Sequence, residues 1–249
     1  MTMRTCLYIL FSSIVTSTVC AGTMGSVAPP TDWVWVGTLS AGPVWANAGK
    51  TQTFALTPQI IKTYVADKAS NDLASGELFA GMQKSLSQST QVQLGLAIAA
   101  SSNANLSGVI WDDADPEFNN YIYSYKIQHT RVAVKGKVLV DTGFWLTPWV
   151  SGSMGAAFNN AHAYNNTPTI FQAVTNPNFS SHIKTSFTWT LGAGVQKALN
   201  NHWQVGAGYE FADWGKSQLG RAAQQTLNSG PYLSQFSTNG ILFNLTYLA

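Results

Sequence analysis

Four charged residues are the first candidates for chemistry, because they lie within segments whose side chains alternate between apolar and polar. They are Glu77, Arg131, Lys135 and Glu210. A buried charge without a partner is strongly destabilising. We therefore expect the two carboxylates to pair with the two cations on one enclosed side of the fold. Such a group is either a structural plug or the lining of a narrow, gated polar channel.

An acidic run further along the chain is a weaker candidate for metal binding. Its carboxylates belong to Asp112, Asp113, Asp115 and Glu117. Carboxylate oxygens are ligands that Ca²⁺ prefers, but the run lacks the central glycine of an EF-hand loop. An exposed acidic loop needs no ligand, so the sequence favours a solvated loop, and we expect no metal site and no cofactor.

Nothing in the sequence indicates an enzyme or a nucleic-acid-binding protein. The four histidines, at 129, 162, 182 and 202, do not have metalloprotease spacing. No local signature suggests a serine, a histidine and an orienting polar group acting together. Charged residues make up only 10% of the chain, and the net charge is +2. A lipid-modifying enzyme stays a minor alternative.

The N-terminus has the pattern of a cleaved export signal. Arg4 precedes an apolar run over residues 7–15, and the small residues at 19–21 form a cleavage site. We expect cleavage after Ala21, which leaves residues 22–249 as one domain without cysteine. The alternatives are an uncleaved anchor, for which the run is too short, and a lipoprotein cut before Cys20.

Alternation at a period of two predicts strands in the rest of the chain. Between residues 184 and 197, for example, Phe187 and Trp189 occupy one face and Thr188 the other. Most of the predicted segments have the length of strands that cross a bilayer at a tilt. The eight segments are residues 33–42, 76–84, 91–101, 125–137, 143–156, 184–197, 202–212 and 239–248.

The connections between these segments alternate in length, which predicts the topology. Three are short, at 85–90, 138–142 and 198–201, whereas four are long, at 43–75, 102–124, 157–183 and 213–238. No apolar run after the signal is long enough for a spanning helix, and only a closed barrel can cross lipid with strands. We predict an all-β fold, an eight-stranded antiparallel transmembrane barrel with short periplasmic turns and four long extracellular loops.

Alternation alone does not say which face of the barrel points outward, and a soluble lipocalin-like barrel has the opposite arrangement. Small and neutral polar residues recur on one face and suit a narrow polar lumen. Aromatic residues near the strand ends favour a girdle at the membrane interfaces. The predicted girdle consists of Trp35, Trp149, Trp189, Trp203 and Tyr247.

Several motifs resemble a known group of proteins. Gly240, Phe243, Leu245 and Tyr247 resemble the C-terminal signal read by the outer-membrane assembly machinery. Residues 148–155 and the glycine-rich hairpin at 192–208 resemble OmpA-like and opacity-type surface antigens. The order of motifs from residues 32–37 onward looks like outer-membrane β-barrel proteins of Legionella. The resemblance implies an eight-stranded barrel at the cell surface and no settled biochemical activity.

The sequence therefore predicts a non-enzymatic surface barrel in the outer membrane, with both termini in the periplasm. We expect it to be a monomer with a side-chain-filled lumen, acting in envelope integrity or in surface contacts through its loops. Its expected partners are outer-membrane lipid, lipopolysaccharide, the assembly machinery and host or envelope surfaces. The alternative is a narrow porin-like channel for small solutes.

Overall fold

Antiparallel strands make up most of the part of the chain that the structure describes. The computed structural model describes residues 32–47, 49–67, 70–174 and 176–249, so the predicted export signal lies outside the described residues. The strands are β1 (Val34–Asn47), β2 (Gln52–Thr57), β3 (Ile60–Ala66), β4 (Ser70–Ser85), β5 (Thr90–Ser101), β6 (Ala104–Asp112), β7 (Asn119–Val140), β8 (Thr147–Pro168), β9 (His182–Ala198), β10 (Trp203–Gln218) and β11 (Tyr232–Leu248). In this part of the chain, no helix is long and apolar enough to cross a membrane.

Eight of the strands form a closed ring. The order around it is β1, β4, β5, β7, β8, β9, β10 and β11, and β11 pairs again with β1. All of these neighbours are antiparallel. The predicted eight-stranded antiparallel barrel is confirmed, and each predicted segment overlaps one strand of the ring. Both ends of the described chain and the three short turns lie at one end, called here the lower end.

The upper end differs from the expected open loops, because the strands continue well beyond the predicted segments. The predicted loop 43–75 contains the hairpin of β2 and β3, and the predicted loop 102–124 contains β6. Strand β6 follows β5 along the upper part of β7 and pairs with β3 on its other side. Buried apolar side chains such as Leu106 and Ile110 recur at every second position of β6. Burial of these apolar side chains at the upper end stabilises β6 as an additional strand of the sheet.

The interior has an aromatic core at its upper end. Tyr64 of β3 packs edge-on against Tyr123 of β7, with ring centroids 5.6 Å apart. Tyr123 stacks on Tyr164 of β8 at 6.2 Å, and Tyr164 meets Phe179 of the third loop at 4.8 Å. Leu73 and Leu233 complete the surrounding cluster from β4 and β11. The upper end is thus filled as the core of a soluble domain is filled.

The exterior of the ring is apolar. Large aliphatic and aromatic side chains alternate with buried small or polar ones along the strands. The strongly exposed side chains include Leu39, Leu78, Leu96, Ile98, Val134, Met154, Phe187, Leu191 and Phe243. The apolar side chains therefore point outward and the small and polar ones inward, which is the inverse of a soluble barrel and agrees with the sequence analysis.

One wall of the ring contains a seam that side chains hold together. The backbone ladder between β9 and β10 ends at the pair of Trp189 and Asp213, although both strands continue upward. Above that point, the Thr188 hydroxyl donates to the Asp213 carbonyl at 2.6 Å, and the Ser186 hydroxyl donates to the Lys216 carbonyl at 3.0 Å. Asn159 of β8 reaches the same strand from inside, donating to the Trp214 carbonyl at 2.7 Å. These bonds satisfy backbone groups that the interrupted ladder leaves without partners.

We predict that Thr188→Val, which keeps the shape and removes the hydroxyl, lowers the free energy of unfolding by about 1–3 kcal/mol, because the buried Asp213 carbonyl loses its donor. Urea unfolding in lipid vesicles measures this change. Thr185→Val, at an exposed position of the same strand, is the matched control and should have a much smaller effect. Equal effects of the two changes would show that the Thr188 bond does not hold the seam.

Candidate functional site in the barrel interior

The structure brings the four predicted charged residues together in the middle of the barrel. Arg131 Nη2 donates to Glu77 Oε2 at 2.6 Å and to Glu210 Oε1 at 2.8 Å. Lys135 Nζ donates to Glu210 Oε2 at 3.1 Å and also contacts Glu77 Oε1. None of these four side chains is more than 12% exposed. Each carboxylate accepts from both cations, so the group, called here the charge quartet, is electrically neutral.

The quartet is assembled from three separate strands. Glu77 comes from β4, Arg131 and Lys135 come from β7, and Glu210 comes from β10. Strand β10 is three strands away from both β4 and β7 around the ring. Arg131 and Lys135 are four residues apart, so they share the inward face of β7. The quartet therefore spans the barrel and connects walls that share no backbone hydrogen bonds.

A packed layer lies directly above the quartet. The guanidinium carbon of Arg131 lies 4.8 Å from the centroid of the Trp214 ring, and the Trp214 indole donates to Thr238 Oγ1 at 3.0 Å. The His129 ring stacks on Phe236 with centroids 4.1 Å apart. This layer joins the quartet to the aromatic core at the upper end, and the buried Trp214 ring leaves the Arg131 guanidinium facing aromatic surface instead of water.

A small cavity lies on the lower side of the quartet. Its volume is about 30 Å³, which is room for one or two water molecules. Glu77, Lys135 and Glu210 line it from above, and Lys137 and Trp149 line it from below. The Lys137 ammonium donates to Gln196 Oε1 at 2.6 Å and lies 4.6 Å from the centroid of the Trp149 ring.

Below this cavity, glutamine side chains form the last interior layer. Gln93 Nε2 donates to Gln83 Oε1 at 2.8 Å, and Gln83 Nε2 donates to Gln91 Oε1 at 3.1 Å. On the other side of the barrel, Gln196 Nε2 donates to Gln204 Oε1 at 2.7 Å. The lower interior is thus filled by neutral amides and Lys137, and the layer above it by the paired charges of the quartet.

The prediction that Trp149 belongs to the outer aromatic girdle is wrong. Its side chain is only 8% exposed and lies inside the barrel. Trp149 has the same parity on β8 as the buried Ser151 and Ser153, whereas Val150 points outward. Glycines on the next two strands of the ring make room for the indole: a Cβ atom on Gly194 of β9 would lie 2.6 Å from Trp149 Cζ2, and one on Gly208 of β10 would lie 2.3 Å from it.

The other predicted girdle residues lie on the outer surface. Trp35, Trp203 and Tyr247 are exposed, and the Trp203 and Tyr247 rings are 4.9 Å apart near the lower end. Trp189 is half-buried against Phe211, with centroids 5.1 Å apart.

The residues of the predicted assembly signal alternate between the two sides of the last strand. On β11, Phe243, Leu245 and Tyr247 point outward, and Gly240 packs closely against Val44 of β1. Their reading as an assembly signal stays a prediction.

The acidic run has structural contacts of its own. Asp112 Oδ1 accepts from Lys62 Nζ at 2.5 Å, and Asp112 Oδ2 accepts from Asn120 at 3.0 Å. Asp115 accepts from the backbone N–H of Glu117 at 3.0 Å and so begins the short 3₁₀ turn Pro116–Phe118. Among the described residues, no group of three or more acidic, histidine or cysteine side chains is arranged to hold a metal ion.

Sequence reasoning missed most of the neighbours of the quartet. His129 and Lys137 share the parity of Arg131 on β7, so strict alternation was the signal that could have found them. Trp214 and Phe236 share the inward parity of Glu210 and Thr238 on their strands, but they lie just outside the predicted segments 202–212 and 239–248.

Comparisons with known proteins concern the fold. No protein-family model matches the chain, and no curated protein matches it in sequence. Among solved structures, the chain is similar to Neisserial surface protein A with 11% identity and a TM-score of 0.42, covering 86% of this chain and 96% of that one. The outer membrane protein OprG from Pseudomonas aeruginosa is 11% identical with a TM-score of 0.43, and the match covers 88% of this chain and 98% of that one. The outer membrane protease OmpT from Escherichia coli is 8% identical with a TM-score of 0.40, and the match covers 90% of this chain and 98% of that one. Similarity at this level does not bear on activity.

We predict that Gly208→Ala lowers the free energy of unfolding by about 1–3 kcal/mol, because the added methyl group overlaps the Trp149 indole. In a Trp149→Leu background, the loss of unfolding free energy caused by Gly208→Ala should be smaller by roughly 1 kcal/mol. A double-mutant cycle measures this coupling. Gly136→Ala is the control, since its added Cβ would have no neighbour closer than 3.9 Å. Additive effects at positions 149 and 208 would contradict the contact.

We also predict that Arg131→Ala destabilises the barrel by about 3–5 kcal/mol, because two buried carboxylates are left with one cation. Adding Glu77→Gln to Arg131→Ala should recover part of the loss by removing the uncompensated charge. Urea unfolding, followed by tryptophan fluorescence, measures both variants. Lys126, exposed on the same strand as Arg131, supplies the control change, Lys126→Ala, which should shift stability by less than about 0.5 kcal/mol. A similar effect at positions 131 and 126 would argue against the quartet as a stabilising element.

Proposed function

We propose that this chain is a non-enzymatic outer-membrane β-barrel with a side-chain-filled lumen, acting in envelope integrity or in surface contacts through its upper end. The charge quartet carries the proposal, because it spans the barrel, neutralises its own charges and leaves a neighbouring cavity of only about 30 Å³. An eight-stranded barrel has an interior just wide enough for side chains to fill.

The location in a membrane is supported by the apolar exterior of the ring. Soluble monomers rarely expose contiguous apolar patches of more than a few hundred Å², whereas here exposed aliphatic and aromatic side chains recur on every strand of the ring. Lipid would cover this surface, and the closed ladder leaves no strand edge unpaired in the hydrocarbon. In this arrangement the lower end, with both ends of the described chain, faces the periplasm and the upper end faces outside.

The finer parts of the proposal rest on the sequence motifs. They are the kinship with OmpA-like and opacity-type surface antigens and with Legionella barrels, the export signal, and the assembly machinery reading residues 240–247. Outer-membrane lipid and lipopolysaccharide would surround a monomeric barrel, and host or envelope surfaces would meet its upper end. The composition gives no reason to expect nucleic acid as a partner.

A narrow channel is the alternative function, and the polar cavity beside the quartet is the observation that favours it. Opening such a channel would require the ion pairs of Glu77 and Glu210 to separate from Arg131 and Lys135. The enclosing layers of Trp214 above and Trp149 below would also have to move.

Planar-bilayer conductance of the refolded protein tests the proposal. A gel-mobility difference between heated and unheated samples proves that each preparation is folded. We expect folded protein to show no steady conductance, because paired side chains occupy the lumen, and Glu210→Gln to show brief openings because two of the ion pairs are weakened. A stable conductance of the unchanged protein would overturn the plugged barrel and establish the channel.

A further inference from the structure

The upper end contains a pocket that neither the charge quartet nor the membrane location explains. It has a volume of about 440 Å³, within the usual size range of sites for small molecules. The hairpin of β2 and β3 forms one side, and residues 176, 177 and 179 of the third loop and 222–225 of the fourth loop form the other. It therefore lies beside the aromatic core, on the end of the barrel that faces away from the termini.

Specific contacts hold the walls of this pocket in place. The backbone N–H groups of Thr226 and Leu227 both donate to the Leu56 carbonyl at 3.0 Å, and Asn228 Nδ2 donates to the Ala55 carbonyl at 2.8 Å. The fourth loop is thus tied to the β2 strand. Such ties keep the pocket open without a ligand, because the loop cannot collapse into it.

The backbone around the pocket is strained at several non-glycine residues. Asp113 and Gln224, which both line the pocket, have φ angles of 51° and 67°, and the neighbouring Asn228 has a φ of 56°. Each left-handed non-glycine residue costs about 1 kcal/mol or more and persists only where its surroundings enforce it. Strain of this kind concentrates at binding sites, which is a reason to ask what the pocket holds.

One buried polar atom of the pocket lacks a protein partner. Asn176 Nδ2 is buried without an acceptor among the described residues. It is a donor, so its missing partner is an acceptor. Tyr64 also lines the pocket and is only 2% exposed. Burial raises the pKa of the Tyr64 phenol, and Tyr123 and Asp112 raise it further, so the hydroxyl keeps its proton at neutral pH and is able to donate to a ligand.

The charges of the lining exclude an anion as the best ligand. Lys62 is engaged by Asp112 at 2.5 Å and by Asn176 Oδ1 at 3.0 Å. Asp113 lines the pocket as well, so carboxylates outnumber the ammonium group. The rest of the wall is largely apolar, with Leu56, Ile61 and Phe179, and Thr57, Gln224 and Gln225 add neutral polar groups. A ligand that fits is uncharged and mostly apolar.

We propose that this pocket binds a neutral amphipathic small molecule, whose ring or chain packs on Leu56, Ile61 and Phe179 and whose carbonyl or hydroxyl oxygen accepts hydrogen bonds from Tyr64 and Asn176. The site is separate from the lumen, so it does not depend on whether the barrel conducts.

Fluorescence anisotropy tests the proposal with the full barrel in lipid nanodiscs. The probes are two neutral lactones of different size, 7-amino-4-methylcoumarin and 7-diethylamino-4-methylcoumarin, and protein-free nanodiscs correct for partition into lipid. We expect saturable binding of at least one probe with a Kd of about 10–100 μM, and at least tenfold weaker binding of the anionic coumarin-3-carboxylate. Absence of saturable binding by both neutral probes, or tighter binding of the anion, would overturn the proposal.

Tyr64→Phe removes only the hydroxyl and should weaken binding about five- to tenfold, the effect of one hydrogen bond. Tyr123→Phe is the matched control, because Tyr123 packs against Tyr64 in the aromatic core but does not line the pocket; it should leave the Kd unchanged. Ile61→Ser, on an exposed side chain, provides a second variant that keeps the core intact and should also weaken binding. Equal Kd values for the unchanged protein, Tyr64→Phe and Ile61→Ser would place the bound probe elsewhere.

Discussion

The pairing of the first barrel strand with the last is the contact on which the remaining structure depends. Strands β1 and β11 are at opposite ends of the described chain, and their ladder from Val36 and Leu248 to Asn47 and Ser237 closes the ring. A closed ring pairs the backbone groups of its walls, except at the seam above Trp189 and Asp213 where side chains supply the bonds. This pairing allows the outer surface to be apolar. Closure with eight strands also fixes a narrow interior. Every inward side chain must therefore find its partner within that interior.

The kinds of residue that fill the interior differ between the lower and upper parts of the barrel. In the lower and middle parts, the inward residues are amides, hydroxyls and the charge quartet, and nearly all of their bonds cross between strands. At the upper end, rings and aliphatic side chains form a core like that of a soluble domain. The change coincides with the seam between β9 and β10, where Ser186, Thr188 and Asn159 replace backbone pairing. The upper end is thus a folded cap on the barrel, and the hairpin and loops of this cap form the pocket.

Much of the fold was predictable from local pattern, because the period of a strand is two and six of the eight segments alternate clearly, the first and the fifth less so. The quartet was predictable from the sequence for the same reason, since Arg131 and Lys135 lie on the same face of a single long strand. The misplacement of Trp149 has a physical cause. An aromatic residue near a strand end is usual in a girdle, but here Gly194 on β9 and Gly208 on β10, the two strands that follow β8 around the ring, leave an interior space that only the register of the three strands reveals. Similarly, positive φ at Ala163 and the register shift beside it change the inward parity of β8 from Ala161 to Tyr164.

The sequence by itself determined the all-β architecture, the number and order of the barrel strands and the residues that form the charge quartet, because these depend on side-chain alternation along one strand at a time. The tertiary structure alone decided which cation meets which carboxylate, where the indole of Trp149 lies and how the first, third and fourth loops enclose the upper pocket. These features join strands and loops that are far apart in the chain, such as Leu56 with Thr226 and Leu227. Their geometry follows from register, closure and bulges, which a local pattern does not encode.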